Sequence, residues 1–436
     1  MKEKKTYLIL PGCDDTNRGD QALIWETFRI AQDAGYVGNY YMVATKECAL
    51  QSKKIGINRI NYILPHPSEK IKDSNNLKYG LKLKIKWAFA SIGDLICAVA
   101  LLNASIRKLI KPVLGKKKRE SLEVFEKADA AFVKGGGFLH AYGGIVDSYK
   151  IFFFIYHMLL ANALQIPVYI LPNSFGPFND PISKKLFKLL MKKSKFISAR
   201  ESVSSNYVKE IFKKDIYTTN DLAVYLEADK TIDLEKKFKE HGLPFESDNL
   251  VAITVRPYRF PGSDQPQILY ETYKQAIADF IMRISENGYI PVLVEHVYSD
   301  NFHERDMLCI EDIMKLLNRQ TKCYIFNDLS MNSRQMKAFY GHFRFIVGTR
   351  FHSVIFSMLE EVPAIAITYG GNKGIGIMKD LELQGYTIAI DSISEAELTN
   401  KFNQMVDNEK EIKEILHAYK RKSENDRIKL IEKLQN

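Results

Sequence analysis

Phe345-Ile-Val-Gly-Thr-Arg-Phe-His-Ser-Val-Ile-Phe-Ser-Met-Leu359 is the stretch on which the fold turns. Its first three residues form a short apolar run of the kind that fills a strand buried on both faces. Gly348 and Thr349 break the run, and Ser353 to Leu359 then carries the apolar density of a helix. Arg350 and His352 therefore fall where the carboxyl end of a strand meets the amino end of a helix. In open α/β sheets ligands bind along that edge. The free amides and dipole of a helix start favour an anion there. A fixed cation and a titratable imidazole two residues apart suit chemistry on an anionic substrate.

The same alternation of apolar runs and amphipathic segments extends in both directions. Strands are expected at Thr6–Leu10, Tyr40–Ala44, Ala130–Val133, Val168–Leu171, Phe196–Ala199 and Ile216–Thr218, with helices between them. Residues 227–248 are charged and turn-rich and read as a linker. A second alternating set runs from Leu250 to Ile390, and a polar helical tail follows from Ser394. This pattern predicts an α/β chain of two doubly wound, Rossmann-like domains, 1–228 and 249–393, facing across a cleft, with a helical tail at 394–436. Two-domain glycosyltransferases share that architecture.

The composition, 46% hydrophobic and 26% charged over 436 residues, is that of a soluble globular chain. Lys and Arg exceed Asp and Glu by ten. That excess suits an acidic small substrate, an anionic membrane surface or nucleic acid. No aromatic-basic motif or recognition helix supports nucleic acid. Cys13, Cys48, Cys97, Cys309 and Cys323 are scattered, which argues against a disulfide framework or zinc site and for a reducing cytoplasm. The apolar run Tyr7–Leu10 is too short for the core of a signal peptide. Ile92–Leu102 is apolar but interrupted by Asp94, and basic residues flank it on both sides. Residues 82–119 are thus either a packed helix with a solvated basic loop or a peripheral contact with the membrane's inner surface.

Polar and glycine-rich loops gather at the expected strand ends. The first strand runs into Pro11-Gly-Cys-Asp-Asp-Thr-Asn-Arg-Gly-Asp20, where Asp20 reads as a helix cap. Asp14, Asp15 and Asn17 are spaced to meet a sugar's hydroxyls. Lys134-Gly-Gly-Gly-Phe-Leu-His140 is neither a P-loop nor a dinucleotide fingerprint. Its glycines, Gly136 and Gly137 among them, suit either substrate contact or tight packing. Asn173 and Ser174 lie at one strand end, Arg200 at another, and Asp221 closes the first half. In the second half Arg256 and His296 follow strands. Lys373 and Gly374 sit in a glycine-rich loop before a helix, a pattern fit for phosphate or carboxylate.

Taken together, Asn17-Arg-Gly-Asp20, Gly135-Gly-Gly137, Ser174-Phe-Gly-Pro177, Arg200-Glu201, Asp221, Arg350-Phe-His352 and Lys373-Gly-Ile-Gly-Ile-Met378 resemble the polysaccharide pyruvyl transferase family. They occur in the family's order over nearly the whole chain, apart from residues 70–120 and the tail. The resemblance implies a cytoplasmic enzyme, working at the inner face of the membrane if its acceptor is lipid-linked. It implies transfer of the pyruvyl group of phosphoenolpyruvate to a sugar, with neither metal nor cofactor. On that reading the first domain takes the acceptor and the second takes the donor. Arg200, Arg350, His352, Lys373 and Gly374 are expected to bind phosphoenolpyruvate, with His352 and Arg350 catalytic. Asp14, Asp15, Asn17, Asp20, Gly136, Gly137, Asn173 and Ser174 are expected on the acceptor side, which includes a lipid-diphosphate-linked sugar. The alternative is a nucleotide-sugar glycosyltransferase of the same architecture, although no acidic residue stands out late in the chain to hold a ribose.

Overall fold

The computed structural model describes residues 4–13, 15–44, 50–66, 81–299, 304–370 and 373–436, and they fall into two compact units. The first comprises residues 1–15, 23–222 and 426–436, and the second comprises 16–22 and 223–425.

The first unit is built on β1 (Thr6–Leu10), β2 (Asn39–Val43), β3 (Ile57–Ile60), β4 (Ala130–Val133), β5 (Gly136–Ala141), β6 (Val168–Phe178), β7 (Phe196–Ala199) and β8 (Tyr217–Thr218). They pair in the order β3-β2-β1-β4-β6-β7-β8, with β5 beside the outer part of β6, and every pairing is parallel. Its helices are α1 (Arg18–Asp33, which begins in the second unit), α2 (Leu50–Lys54), α3 (Leu81–Leu101), α4 (Ala104–Ile110), α5 (Lys116–Glu126), α6 (Ile145–Ala163), α7 (Pro181–Lys193) and α8 (Ser202–Phe212).

The second unit opens with α9 (Leu234–Glu240) and alternates β9 (Leu250–Thr254), α10 (Pro266–Glu286), β10 (Ile290–Val294), α11 (Asp306–Leu316), β11 (Tyr324–Phe326), α12 (Ser333–Tyr340), β12 (Phe345–Gly348), α13 (Phe351–Leu359), β13 (Ala364–Thr368), α14 (Lys373–Asp380) and β14 (Thr387–Ala389). Its parallel sheet has the order β11-β10-β9-β12-β13-β14. The order reverses between β9 and β12, as it does between β1 and β4 in the first sheet, and those are the topological switch points. β9 and β12 are buried along their whole length, which is why both read as unbroken apolar runs.

Several elements depart from the sequence reading. Gly136 and Gly137 do not lie in a loop; they start β5. β6 continues through Asn173 and Ser174 instead of ending at Leu171. α1 begins at Arg18, so Asn17, not Asp20, is its cap: Asn17 Oδ1 accepts from the Asp20 amide at 3.2 Å, and Asn17 Nδ2 donates to Asp20 Oδ2 at 2.8 Å. The linker contains α9, whose buried Phe238 meets the rings of Phe339 and His342.

The tail does not form a body of its own. Its helices are α15 (Glu395–Asp407) and α16 (Glu409–Gln435). In α15, buried Phe402 packs against Phe280, Tyr289 and Phe345 of the second unit. The last eleven residues join the first unit, where the Tyr36 hydroxyl donates to the Leu434 carbonyl at 3.0 Å. Phe402→Ala should therefore cost about 3–5 kcal/mol, as loss of a buried aromatic ring does. Urea unfolding reads this directly, and an unmoved midpoint would mean that the tail adds no stability.

Candidate active site

The switch point of the second sheet is tied together before any functional side chain is placed. The Thr349 amide donates to the Thr254 carbonyl at 2.8 Å, carrying the β9–β12 pairing one residue past the strand. Thr254 Oγ1 and Ser353 Oγ are 2.7 Å apart, and the Tyr273 hydroxyl meets Thr349 Oγ1 at 2.8 Å. Gly348 is needed at this turn because a Cβ there would lie 2.6 Å from Val354 Cγ2. Arg350 takes the N-cap position of α13 without a side-chain cap, which puts His352 in the helix's first turn.

Arg350 does not reach into open space. Its side chain is only 7% exposed. Nε donates to Asp306 Oδ1 at 2.8 Å, Nη1 to Glu304 Oε2 at 3.0 Å and Nη2 to the Glu304 carbonyl at 2.8 Å. All three guanidinium nitrogens are engaged within the protein, so the expectation that Arg350 grips a substrate anion gives way to an internal role. Asp306 Oδ2 accepts from the amides of His296 and Val297 at 3.1 and 2.8 Å, which fixes the loop after β10. Glu304 Oε1 accepts from Arg256 Nη2 at 3.1 Å, and the Arg256 guanidinium lies over the Tyr369 ring, 4.6 Å from its centre.

The charges in this cluster shift one another. Burial alone would weaken the proton affinity of Arg350, but Asp306 and Glu304 hold it above the ordinary arginine value. Burial would raise Glu304, yet Arg256 and Arg350 keep it below the usual carboxylate range. Asp306 is pushed up to about 6 by burial, with Arg350 opposing. Glu295, at the end of β10, is pushed up to about 7, first by burial and then by Asp306. His296 is held well below the usual imidazole range by burial and by His352, Arg350 and Arg18, so it is neutral. Its Nδ1 lies 3.1 Å from the Tyr340 hydroxyl.

His352 is half-buried and faces the loop Thr16–Ala22, which is part of this unit. A Cβ at Gly19 would lie 2.1 Å from His352 Nδ1, so only glycine lets the two approach. That loop is anchored by the buried Arg18, which donates to the carbonyls of Thr16, Met331 and Asp328. An antiparallel bridge from Asn17 to Val297 and the Ser333 amide donating to Gln21 at 2.7 Å complete the anchoring.

The first unit gathers a separate group. Arg200 is buried; Nε donates to Ser174 Oγ at 2.7 Å and Nη1 to Asp221 Oδ2 at 2.5 Å, and its buried Nη2 has no hydrogen-bond partner among the described residues. Asn173 Nδ2 donates to the carbonyls of Lys134 and Leu171, leaving its buried Oδ1 without one among the described residues. Arg200 and Arg350, read as two forks for one substrate, thus belong to different units.

The acceptor candidates fare differently from one another. Both oxygens of Asp15 bond Gln51 and Ser52 at the start of α2, so it caps a helix instead of presenting a carboxylate. Asn17 and Asp20 bond each other. In the triple glycine, Gly135 has a packing reason, since a Cβ would lie 2.9 Å from the Pro172 carbonyl, and Gly136 has a conformational one, with φ at 152°. Gly137 presents its carbonyl to His140 Nδ1 at 2.9 Å. Asp14 lies outside the described residues, as does the side chain of Lys373; Gly374 is buried beside Phe351 and Thr368. Sequence reasoning missed the roles of Glu295 and Asp306. Two acids one residue apart, downstream of a strand end that already carried a Glu-His pair, were the available signal.

Residues 17–371 match the family model described as polysaccharide pyruvyl transferase. A curated relative, the amylovoran biosynthesis protein AmsJ of Erwinia amylovora, is 26% identical over 290 residues, covering 66% of this chain and 67% of that one. Among solved structures, Arabidopsis thaliana UGT89C1 complexed with quercetin matches with a TM-score of 0.57 at 11% identity, over 100% of both chains. The UDP-GlcNAc 2-epimerase from Neisseria meningitidis matches with a TM-score of 0.51 at 12% identity, over 94% of both chains. At such identities the likeness shows the fold alone, which is the GT-B arrangement of two parallel-sheet α/β domains.

Two outcomes check the electrostatics. Arg350→Ala strands Asp306 and Glu304, and should cost about 3–5 kcal/mol of stability; lost activity at unchanged stability would return Arg350 to substrate binding. Glu295 holds its proton in the folded state up to about pH 7, whereas the unfolded chain releases it near 4.5. Stability is therefore lost as pH rises through that window. Glu295→Gln should remove this slope, gaining roughly 1–3 kcal/mol at pH 8 and nothing at pH 4.5. Parallel pH profiles of the two proteins would contradict this.

Proposed function

We propose that this chain, a member of the polysaccharide pyruvyl transferase family and so a transferase, moves the pyruvyl group of phosphoenolpyruvate onto two hydroxyls of a sugar and releases phosphate. The sugar belongs to a surface polysaccharide or its lipid-linked precursor, and the reaction runs at the inner face of the membrane, on the side where the donor is made. The observation that carries the reading is the placement of His352, in the first turn of α13 at the switch point and close enough to Gly19 to exclude any side chain there.

His352 supplies the proton. Protonating the methylene carbon of phosphoenolpyruvate makes the adjacent carbon an oxocarbenium-like electrophile. One sugar hydroxyl attacks that carbon, its proton passes to the phosphate, and the C–O bond to phosphate breaks to leave an oxocarbenium-like carbon again. The second hydroxyl then closes the ketal and loses its proton, so the imidazole that gave one proton takes one back. The donor's phosphate and carboxylate fall to the amino end of α13, to Arg256 at the end of β9, and to the start of α14 at Lys373 and Gly374. Arg350 acts through the loop it holds, and Asn17 with Asp20 presents a preset polar pair to the acceptor.

Incubation with phosphoenolpyruvate and a sugar diol, read as released phosphate, tests this. His352→Ala should lower the rate by roughly 10²–10⁴-fold with an unchanged unfolding midpoint, as loss of a general acid does. A folded variant with near-normal turnover would remove His352 from the chemistry. Consumption of a UDP-sugar without response to phosphoenolpyruvate would replace the reaction itself.

A further inference from the structure

The helix α3 is apolar on two opposite faces. Ala98 and Leu101 are buried in the first unit's core, and Cys97 packs against it. Ile85, Phe89, Ile92, Ile96 and Val99 recur every three or four residues, which places them in one stripe, and all five are exposed, Phe89 at 74%. Ile106 and Leu109 of α4 and Val113 of the turn that follows are exposed as well, the last two at 78% and 82%. Scattered exposed apolar residues need no explanation, but a contiguous row of them does.

The charge of the chain is concentrated around this row. Residues 82–119 hold ten Lys and Arg against one acid, Asp94, so they carry nine of the chain's ten net positive charges. Asp94 does not interrupt the stripe: it lies on another face of α3, where Lys118 neutralises it at 2.7 Å. Lys82, Lys86, Lys108, Lys116 and Lys117 are exposed. No helix among the described residues is long and apolar enough to cross a membrane.

We propose that the exposed face of α3 and α4 is a docking surface for an anionic lipid bilayer, with its apolar row sunk into the interface and its lysines on the headgroups. An amphipathic surface helix binds in this way, by buried apolar area plus attraction to anionic lipid. A soluble protein partner would have to match both a dry stripe and a ninefold positive charge; a phosphatidylglycerol surface offers both without special shape. The surface belongs to the first unit and His352 to the second, and the proposal stands whatever reaction the enzyme performs.

Flotation of the full chain with vesicles tests it. Binding is expected to phosphatidylglycerol-rich vesicles, to fall with salt, and to be weak on phosphatidylcholine alone. Phe89→Glu with Ile96→Glu, both solvent-facing, should cut the bound fraction by about tenfold or more. Thermal midpoint and phosphate release on a water-soluble acceptor should be unaffected. Absence of flotation, flotation indifferent to the double variant, or a dimer in light scattering that the double variant disperses would each overturn the proposal, the last by assigning the face to a second copy.

Discussion

Arg350 is a buried cation, and the geometry around His352 follows from how it is neutralised. Removing a guanidinium from water is tolerable only when its donors are met, and here Asp306 and Glu304 meet them. The same two acids bind other parts of the switch point. Asp306 takes the amides of His296 and Val297, and Glu304 takes Arg256 at the end of β9. One charge cluster thus registers three loops, after β9, β10 and β12, against each other. His352 inherits its position from that registration and from the glycine that faces it.

The fold was legible because its signals are local. Parallel strands covered on both faces must be apolar throughout, so β1, β4, β7, β9, β12 and β13 announce themselves in composition. What was not legible depends on distance or on what a residue does besides its usual habit. The triple glycine suited either substrate contact or tight packing, yet Gly136 and Gly137 begin β5, Gly136 holds a φ that favours glycine, and Gly135 must clear the Pro172 carbonyl. Asp20 looked like a cap, but Asn17 three residues earlier makes the same bond and the helix starts sooner.

The candidate site divides along the same line. The strand-end rule found Arg350, His352, Arg200 and Arg256, since it needs only the position of a residue after an apolar run. It could not say what each side chain touches. The partners of Arg350 are 44 and 46 residues away, at the start of α11 and just before it, and Asp15 is matched by Gln51 and Ser52 of α2, 36 and 37 residues on. A cation at a strand end is as ready to satisfy a buried carboxylate as a ligand, and only tertiary contacts decide between them. Arg200 shows an intermediate case, with two nitrogens engaged and one left over.

Neutralising Arg350 has a consequence for the histidine beside it. An imidazole that must give a proton and later accept one is poorly served by a strong fixed charge nearby, which would hold it in one state. Here Arg350, Arg256 and Arg18 are matched by Glu304, Asp306 and Glu295, and the last of these is itself protonated for part of the time near pH 7. His296, the neighbouring ring, is held neutral by burial. The cluster therefore holds its fixed charges in ion pairs within the loops that position His352. In the proposed reaction the charge that changes there is the donor's own: it arrives with the phosphate and carboxylate and leaves with the phosphate. On that proposal the proton's movement is coupled to the arrival and departure of the substrate, and one imidazole serves both halves of the transfer.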